Sequence, residues 1–266
     1  MDERHAVPKI RLDEAVKVFD ARGARVEALG PVTVGADDGE FVVLVGPSGC
    51  GKTTLLNLVA GFEFPTSGRV LVDGQPVGGP GPDRVMIFQE PALFPWLTVR
   101  DNVCFGLRQH RHLGARERRA IAESHLARVH LEGFADAYVH ELSGGMKQRV
   151  ALARALAPEP RVLLCDEPFG SLDALTRERL YAELQDLHQQ THKTVLFVTH
   201  NTREAACLAD RIVVLTGRPA RVKRILPNDL PRPRSFYDPR VLRLAAGILD
   251  ELKAELDSSA GGGHAG

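Results

Sequence analysis

The sequence predicts an α/β fold built on a mostly parallel sheet, with an antiparallel β portion near its N-terminus and an inserted helical subdomain. Three observations predict it. Short apolar runs at 41–45, 85–88, 161–165, 194–199 and 212–215 alternate with helical patterns at 54–60, 174–190 and 202–209. Strands alternating with helices form a parallel sheet whose ligands belong at the carboxyl ends of the strands. Before residue 41 the apolar residues alternate more nearly one by one, as in half-buried strands. From 107 to 157 the chain changes to helices rich in Arg, His and Ala.

A chain of 266 residues with 44% hydrophobic content can bury a substantial core, in one large domain or two small ones. Its 34 basic and 34 acidic residues cancel. That balance argues against a nucleic-acid partner, which selects for a basic footprint. Cys50, Cys104, Cys165 and Cys207 are scattered with no C-x-x-C pair, so a reducing compartment is expected rather than a disulfide or zinc framework. No apolar stretch has the length of a membrane span, and Met1-Asp2-Glu3-Arg4-His5 lacks a signal-peptide apolar region. The expectation is a soluble, cytoplasmic chain.

Residues 1–8 are polar and expected to be loose. Ile10, Leu12, Val16 and Val18 mark a strand over 10–19, Gly23 a hairpin into a strand at 26–29, and Val32 with Val34 a further strand. Phe19, at the end of the first strand, is placed either to stack on a nucleotide base or to pack in the core. Asp38-Gly39 is a turn into the apolar run Phe41–Val45.

Gly46, Pro47, Ser48, Gly49, Cys50, Gly51, Lys52 and Thr53 follow, and Thr54 begins a helical pattern through Ala60. This is G-x-x-x-x-G-K-[ST] between a strand and a helix, the context that the motif requires. Glycines let successive backbone N–H groups converge on one anion, and the following helix adds its positive end. Lys52 supplies a charge for the β- and γ-phosphates, and the Thr53 hydroxyl suits Mg²⁺. The reading is a nucleoside-triphosphate site in a P-loop NTPase.

Farther on, Val70–Val72 and Asp73-Gly74 read as a hairpin, and the strand at 85–88 ends at Gln89. Phe94, Pro95 and Trp96 form an aromatic cluster on a loop, either a satellite of the core or a docking patch. Arg108, Arg111, Arg116, Arg118 and Arg119, mixed with Glu117 and Glu123, read as a solvated helix face. His110, His112, His125 and His130 read as surface residues. Leu142–Arg149, L-S-G-G-M-K-Q-R, opens another helix. Ser143 suits its N-cap, and Gly144-Gly145 lets backbone amides approach an anion at this second helix start. Pro158 and Pro160 end that helix, and the strand at 161–165 closes in Asp166-Glu167. Such a pair suits a Mg²⁺-orienting aspartate beside a base. The strand at 194–199 ends in His200, so Gln89, Asp166-Glu167 and His200 all stand at strand ends. Past Pro227 come P-R-P-R at 231–234, an amphipathic pattern from Val241 to Leu256, and a tail at 258–266 expected to be disordered.

Over about residues 10–226 the chain resembles the ATP-binding subunit of an ABC transporter. The phosphate loop alone is shared with kinases, GTPases and helicases; L-S-G-G-M-K-Q-R, then D-E-P-F-G-S-L-D, then V-T-H narrow the resemblance. It implies a RecA-like parallel sheet in an ATPase domain at 1–230, a helical subdomain at about 95–158, and a C-terminal helical extension with its tail at 231–266. It implies ATP and Mg²⁺ as cofactors. Phe19 matches the adenine-stacking aromatic, and Gln89 the glutamine that senses Mg²⁺ and the attacking water. Leu142–Met146, with Ser143, Gly144 and Gly145, matches the signature that binds the γ-phosphate held by the other subunit. Asp166 matches the Mg²⁺-orienting aspartate, Glu167 the general base, and His200 the γ-phosphate contact. Ser171-Leu172-Asp173 matches the loop crossing between subunits. Met146 replaces the commoner glutamine, and Phe19 the commoner tyrosine; neither removes a group that the chemistry needs.

Strings such as L-F-P-W-L-T-V-R-D-N-V and D-E-P-F-G-S-L-D-A-L-T-R are similar to the nitrate/sulfonate/taurine importer group. The resemblance implies a head-to-tail dimer, a separate membrane permease, a solute-binding protein and a place on the cytoplasmic face of the inner membrane. Three rivals fit less well. A ribosome- or DNA-directed ABC ATPase usually carries two cassettes or long inserts, an exporter cassette is often fused to membrane helices, and a small-molecule kinase leaves Leu142–Met146 unexplained.

Overall fold

The structure is a computed structural model that describes residues 8–261 apart from 22, 111 and 171. The expectations for residues 1–7, Arg111, Ser171 and 262–266 lie outside the described residues. In chain order the elements are β1 (Ile10–Ala21), β2 (Ala24–Ala36), β3 (Phe41–Val45), α1 (Lys52–Ala60), β4 (Ser67–Val72), β5 (Gln75–Pro76) and β6 (Arg84–Ile87). Helices α2 (Val99–Leu107), α3 (Ala115–Arg128) and α4 (Gly144–Leu156) follow, then β7 (Val162–Asp166) and α5 (Ala174–Thr191). The chain closes with β8 (Thr194–Thr199), α6 (Thr202–Leu208), β9 (Arg211–Leu215), β10 (Val222–Pro227) and α7 (Pro239–Gly261). The chain divides into two compact units, one of residues 1–81 with 185–266, the other of residues 82–184.

In the first unit, β1 pairs antiparallel with β2 and β4, and β5 pairs antiparallel with β4 at the edge. The two strands expected at 26–29 and around 32–34 are one strand, β2. The break suggested by Gly30-Pro31 is absorbed in place. The register against β1 jumps from Ala15↔Val32 to Lys17↔Leu29, and such an irregularity tolerates a proline that has no N–H to give. The second sheet of this unit holds β3 between β8 and β9, all parallel, with β10 antiparallel on β9. Strands β3 and β8 are buried at every residue, as expected for strands covered on both faces. Strand β10, unread in the sequence, carries partly exposed residues of mixed polarity with no alternation to reveal it.

Beyond β10 the P-R-P-R stretch is a cross-link. The buried Arg234 donates to the carbonyls of Leu230, Ala209 and Asn228, while its backbone N–H donates to Gln185 Oε1 at 2.8 Å. Burial lowers the Arg234 pKa to about 10. Helix α7 then buries Val241, Ala245, Ile248 and Leu252, a one-sided stripe at helical spacing. Its backbone helix continues to Gly261, so residues 258–261 are helical where a disordered tail was expected. Their serines and glycine have low helix propensity, and they extend a helix already formed and docked upstream.

In the second unit, β6 and β7 pair in parallel, from Arg84↔Val162 to Ile87↔Cys165. Helix α2 is capped by Thr98, whose hydroxyl accepts from Asp101 N at 3.1 Å. The fully buried Asn102 accepts from Phe94 N at 2.8 Å and donates back to Phe94 O at 3.1 Å. One amide side chain thus holds the preceding loop. His125 corrects an expectation: it is buried beside Ala122 and Leu126 on the inner stripe of α3, and burial pushes its pKa down. The cysteines are free and buried, and no described helix is long and apolar enough to cross a membrane.

Because Ile248 on the inner stripe of α7 is completely buried, Ile248→Ala should cost about 2–5 kcal/mol, the usual range for a truncation that leaves a cavity. Urea unfolding followed by circular dichroism measures this. A loss no larger than a surface substitution would show α7 to be a loosely held appendage.

Candidate functional site

The first unit builds an anion cradle between β3 and α1. Gly49 and Gly51 have φ of 71° and 123°, a region that favours glycine. A Cβ on Gly51 would stand 2.7 Å from the Ala28 carbonyl oxygen and 2.9 Å from Leu29 Cδ2. Helix α1 starts at Gly51 with no side-chain cap and no acidic residue in its first turn, and the positive end of a helix favours a ligand of negative charge. Lys52 is 6% exposed, and its ammonium donates to Gly46 O and Pro47 O at 2.9 Å each. Burial raises the pKa of the Cys50 thiol, so the cradle carries no thiolate. Thr53 and Thr54 lie in the first turn of α1, after Lys52.

The register of the sheet brings His200 to this end. Val45 pairs with Thr199, so Gly46 and His200 leave adjacent parallel strands side by side. The turn after His200 is held by Asn201, whose side chain accepts from Arg203 N and Glu204 N at the start of α6. Phe19 pairs with Val26 near the hairpin, half-buried, with the Lys17 ammonium 4.8 Å from its ring centroid. It is therefore not enclosed in the core. Arg218, which sequence reasoning missed, lies on the turn after β9 and donates to Gly49 O. The signal was the one used for His200, a polar residue just beyond the carboxyl end of a parallel strand.

The second unit gathers a second group. The pairing of Ile87 with Cys165 sends Gln89 and Asp166-Glu167 off the same ends of β6 and β7. Glu167 has φ of 45°, and its carbonyl accepts from Gly170 N at 3.1 Å. This tight turn reaches back to Gln89: a Cβ on Gly170 would stand 3.5 Å from Gln89 Nε2. Helix α4 starts at Ser143, whose hydroxyl accepts from Met146 N at 3.3 Å, again with no acidic residue in the first turn. Gly145 lies against the start of α5, where a Cβ would stand 2.4 Å from Thr176 Cγ2. Asp173 accepts from Thr176 N at 3.0 Å, which holds its carboxyl below the usual range.

No group of three or more His, Cys, Asp or Glu among the described residues is arranged to hold a metal. Thr53 of the first unit, and Asp166 and Gln89 of the second, each offer an oxygen donor, the kind of ligand that Mg²⁺ takes.

Beside Gln89 the second unit also has an apolar groove of about 330 Å³, lined among others by Val85, Phe88, Phe94, Phe105, Ala151 and Pro158. Phe94 lies 4.4 Å from the Phe105 ring and 5.6 Å from Trp96 by ring centroids. Trp96 is 72% exposed, so it is no satellite of the core. Arg154 closes one side, donating to Pro91 O and Ala92 O at 2.8 Å each.

Residues 29–170 match the ABC transporter family model. An ABC transporter ATP-binding protein of Methanocaldococcus jannaschii is 48% identical over 248 residues, 93% of this chain and 92% of the relative. The taurine import ATP-binding protein TauB of Pseudomonas aeruginosa is 49% identical over 248 residues, 90% of this chain and 94% of its own. The bicarbonate transport ATP-binding protein CmpC of Synechococcus elongatus is 50% identical over 79% of this chain, which spans only 32% of that longer relative. Among solved structures, the ATP-binding cassette MJ0796, a dimer in a post-hydrolysis state bound to ADP and Pi, superposes with a TM-score of 0.73. It is 33% identical, over 82% of this chain and 98% of that one.

The contact behind Gly51 makes a sharp expectation. Gly51→Ala drives a methyl into the Ala28 carbonyl, so it should abolish binding of a fluorescent nucleotide while leaving most of the fold in place. Unimpaired binding in a titration would show that the cradle is not the nucleotide site.

Proposed function

The chain belongs to the ABC transporter family as an ATP-binding subunit, and we propose that it drives import of a small anion of the sulfonate, taurine or nitrate class through a separate permease. It is an ATPase. The observation that carries the mechanism is that one chain presents two helix starts, α1 and α4, both free of acidic residues in the first turn and both opened by glycines. Each is half of an anion site. Two copies arranged head to tail complete both halves, with ATP held at Gly46–Thr54 of one copy and met by Ser143, Gly144 and Gly145 of the other. The similarity to an ATP-binding protein named for taurine import and another named for bicarbonate transport supports the solute class.

When bound, Mg²⁺ neutralises charge on the triphosphate, and Thr53, Asp166 and Gln89 are the residues that would hold it. Lys52 binds the phosphates through its ammonium. Glu167 accepts the proton of the attacking water as general base, and His200 contacts the γ-phosphate. Phe19 stacks on the adenine. The exposed Trp96, with Phe94 and Pro95, forms with the apolar groove the face that receives the permease, and a solute-binding protein acts on the far side of it. The subunit thereby sits on the cytoplasmic face of the inner membrane. No role calls for a nucleic-acid partner.

Glu167→Gln keeps the size of the side chain but removes its ability to take a proton. Its turnover should fall by ~10²–10⁴, the usual contribution of a general base, with ATP affinity retained. The same variant should sediment as a dimer with Mg²⁺ and ATP and as a monomer without them. Lys52→Ala should weaken binding and turnover together, because that charge acts in both ground and transition states. Hydrolysis by Glu167→Gln within a few-fold of the parent would assign the base elsewhere, with His200 the next to test.

For the docking face, Trp96→Ala should reduce co-purification with the membrane subunit and leave thermal stability nearly intact, since the ring is exposed. A stability loss of about 3–5 kcal/mol, typical of a buried aromatic, would instead give the ring a packing role.

A further inference from the structure

The turn between β9 and β10 reads T-G-R-P-A-R at 216–221, with Gly and Pro flanking Arg218, and it is built to be rigid. Thr216 N donates to Arg221 O at 3.0 Å, and the Thr216 hydroxyl accepts from Arg221 N at 2.9 Å. Ala220 is tied on both sides to β2: its N–H donates to Ala28 O at 3.1 Å, and its carbonyl accepts from Gly30 N at 3.0 Å. Ala28 is the residue whose carbonyl backs Gly51. The turn and the phosphate loop therefore share one support.

From this turn Arg218 reaches the phosphate loop with a fork. Its Nη2 and Nε both donate to Gly49 O, at 2.8 and 3.2 Å. In a trans peptide the C=O and the following N–H point to opposite sides. Holding Gly49 O outward therefore turns the Cys50 N–H toward the loop interior, where it makes a long 3.3 Å contact with Pro47 O. The same turn is held from the other side by the C-terminal helix. Gly217 N donates to Glu255 Oε1 of α7 at 3.1 Å, and Lys223 of β10 donates to Glu251 O of α7 at 2.6 Å. A continuous path of contacts runs from α7 through Glu255, Gly217 and Arg218 to Gly49.

We propose that Arg218 is a positioning residue for nucleotide binding, presetting the phosphate loop through the Gly49 carbonyl, and that α7 tunes this grip through Glu255. The proposal rests on the reading of Gly46–Thr54 as the nucleotide site. A charge-assisted fork on one carbonyl is among the stronger restraints available to a surface loop. A change in the seating of α7, such as a partner bound to the C-terminal helix, would reach the nucleotide site without touching it.

The test titrates the full chain with a fluorescent ADP. Arg218→Ala should weaken binding by about tenfold, the scale of a lost hydrogen bond to a charged group. The melting temperature of the nucleotide-free protein should hold, since Arg218 is exposed. Arg218→Lys keeps the charge and loses the fork, so its affinity should fall between those of Arg218→Ala and the parent; it also carries the test if the alanine variant does not fold. Glu255→Ala should weaken binding by a smaller factor, and it should add nothing in the Arg218→Ala background, because residues on one path are not additive. Parent-like affinity in Arg218→Ala overturns the role of Arg218. A Glu255→Ala effect that persists undiminished in that background overturns the link to α7. Failure of the parent chain itself to bind the nucleotide would instead sink the reading of the phosphate loop, and Lys52→Ala serves as the control that separates the two.

Discussion

A phosphate loop has to satisfy two opposed demands. Its backbone must be held in a strained, left-handed path, yet its N–H groups must not be used up in holding it. In this chain the restraint comes from behind. Ala28 and Leu29 press on Gly51, Arg218 takes the Gly49 carbonyl, and the buried Cys50 thiol stays neutral. The front of the loop is left with the uncapped start of α1 and one buried ammonium. That ammonium is costly to bury, and two loop carbonyls at 2.9 Å offset the cost. The loop thus draws on a carbonyl pair that a lysine can leave when a better anion arrives.

The same division of labour recurs at the start of α4. Ser143 satisfies one amide, Gly145 allows the close approach of Thr176, and no acidic side chain enters the first turn. Asp173 is held charged by the Thr176 amide just beside it. Each unit therefore presents a pre-shaped, electropositive helix start next to polar residues delivered by strand ends. Pre-shaping matters because a donor already aimed at developing charge costs nothing to reorganise during reaction.

The groove beside Gln89 is an apolar surface of the second unit. Its wall includes β6, which leads into Gln89, and its rim is the loop held by Asn102. A buried amide with several backbone partners makes that loop stiff.

Legibility followed the range over which each feature is specified. The phosphate loop, the helix start at Ser143 and the strand-terminal Gln89, Asp166-Glu167 and His200 were readable because each depends on a few consecutive residues whose backbone demands are strict. The parallel strands were readable because burial on both faces leaves unbroken apolar runs. The single strand β2 was hidden, because Gly30-Pro31 breaks a local pattern that only the pairing with β1 repairs. His125 was misplaced because a histidine on a charged helix looks solvated until the helix has a neighbour. By itself, then, the sequence determined the fold class and the family and singled out candidate site residues, since these rest on short-range backbone geometry and strand–helix order. Only the tertiary structure decided that Trp96 is exposed and His125 buried, and that Arg218 and Glu255 stand behind Gly49. Those contacts join residues as much as 169 positions apart, and no local pattern of side chains encodes a pairing over that distance.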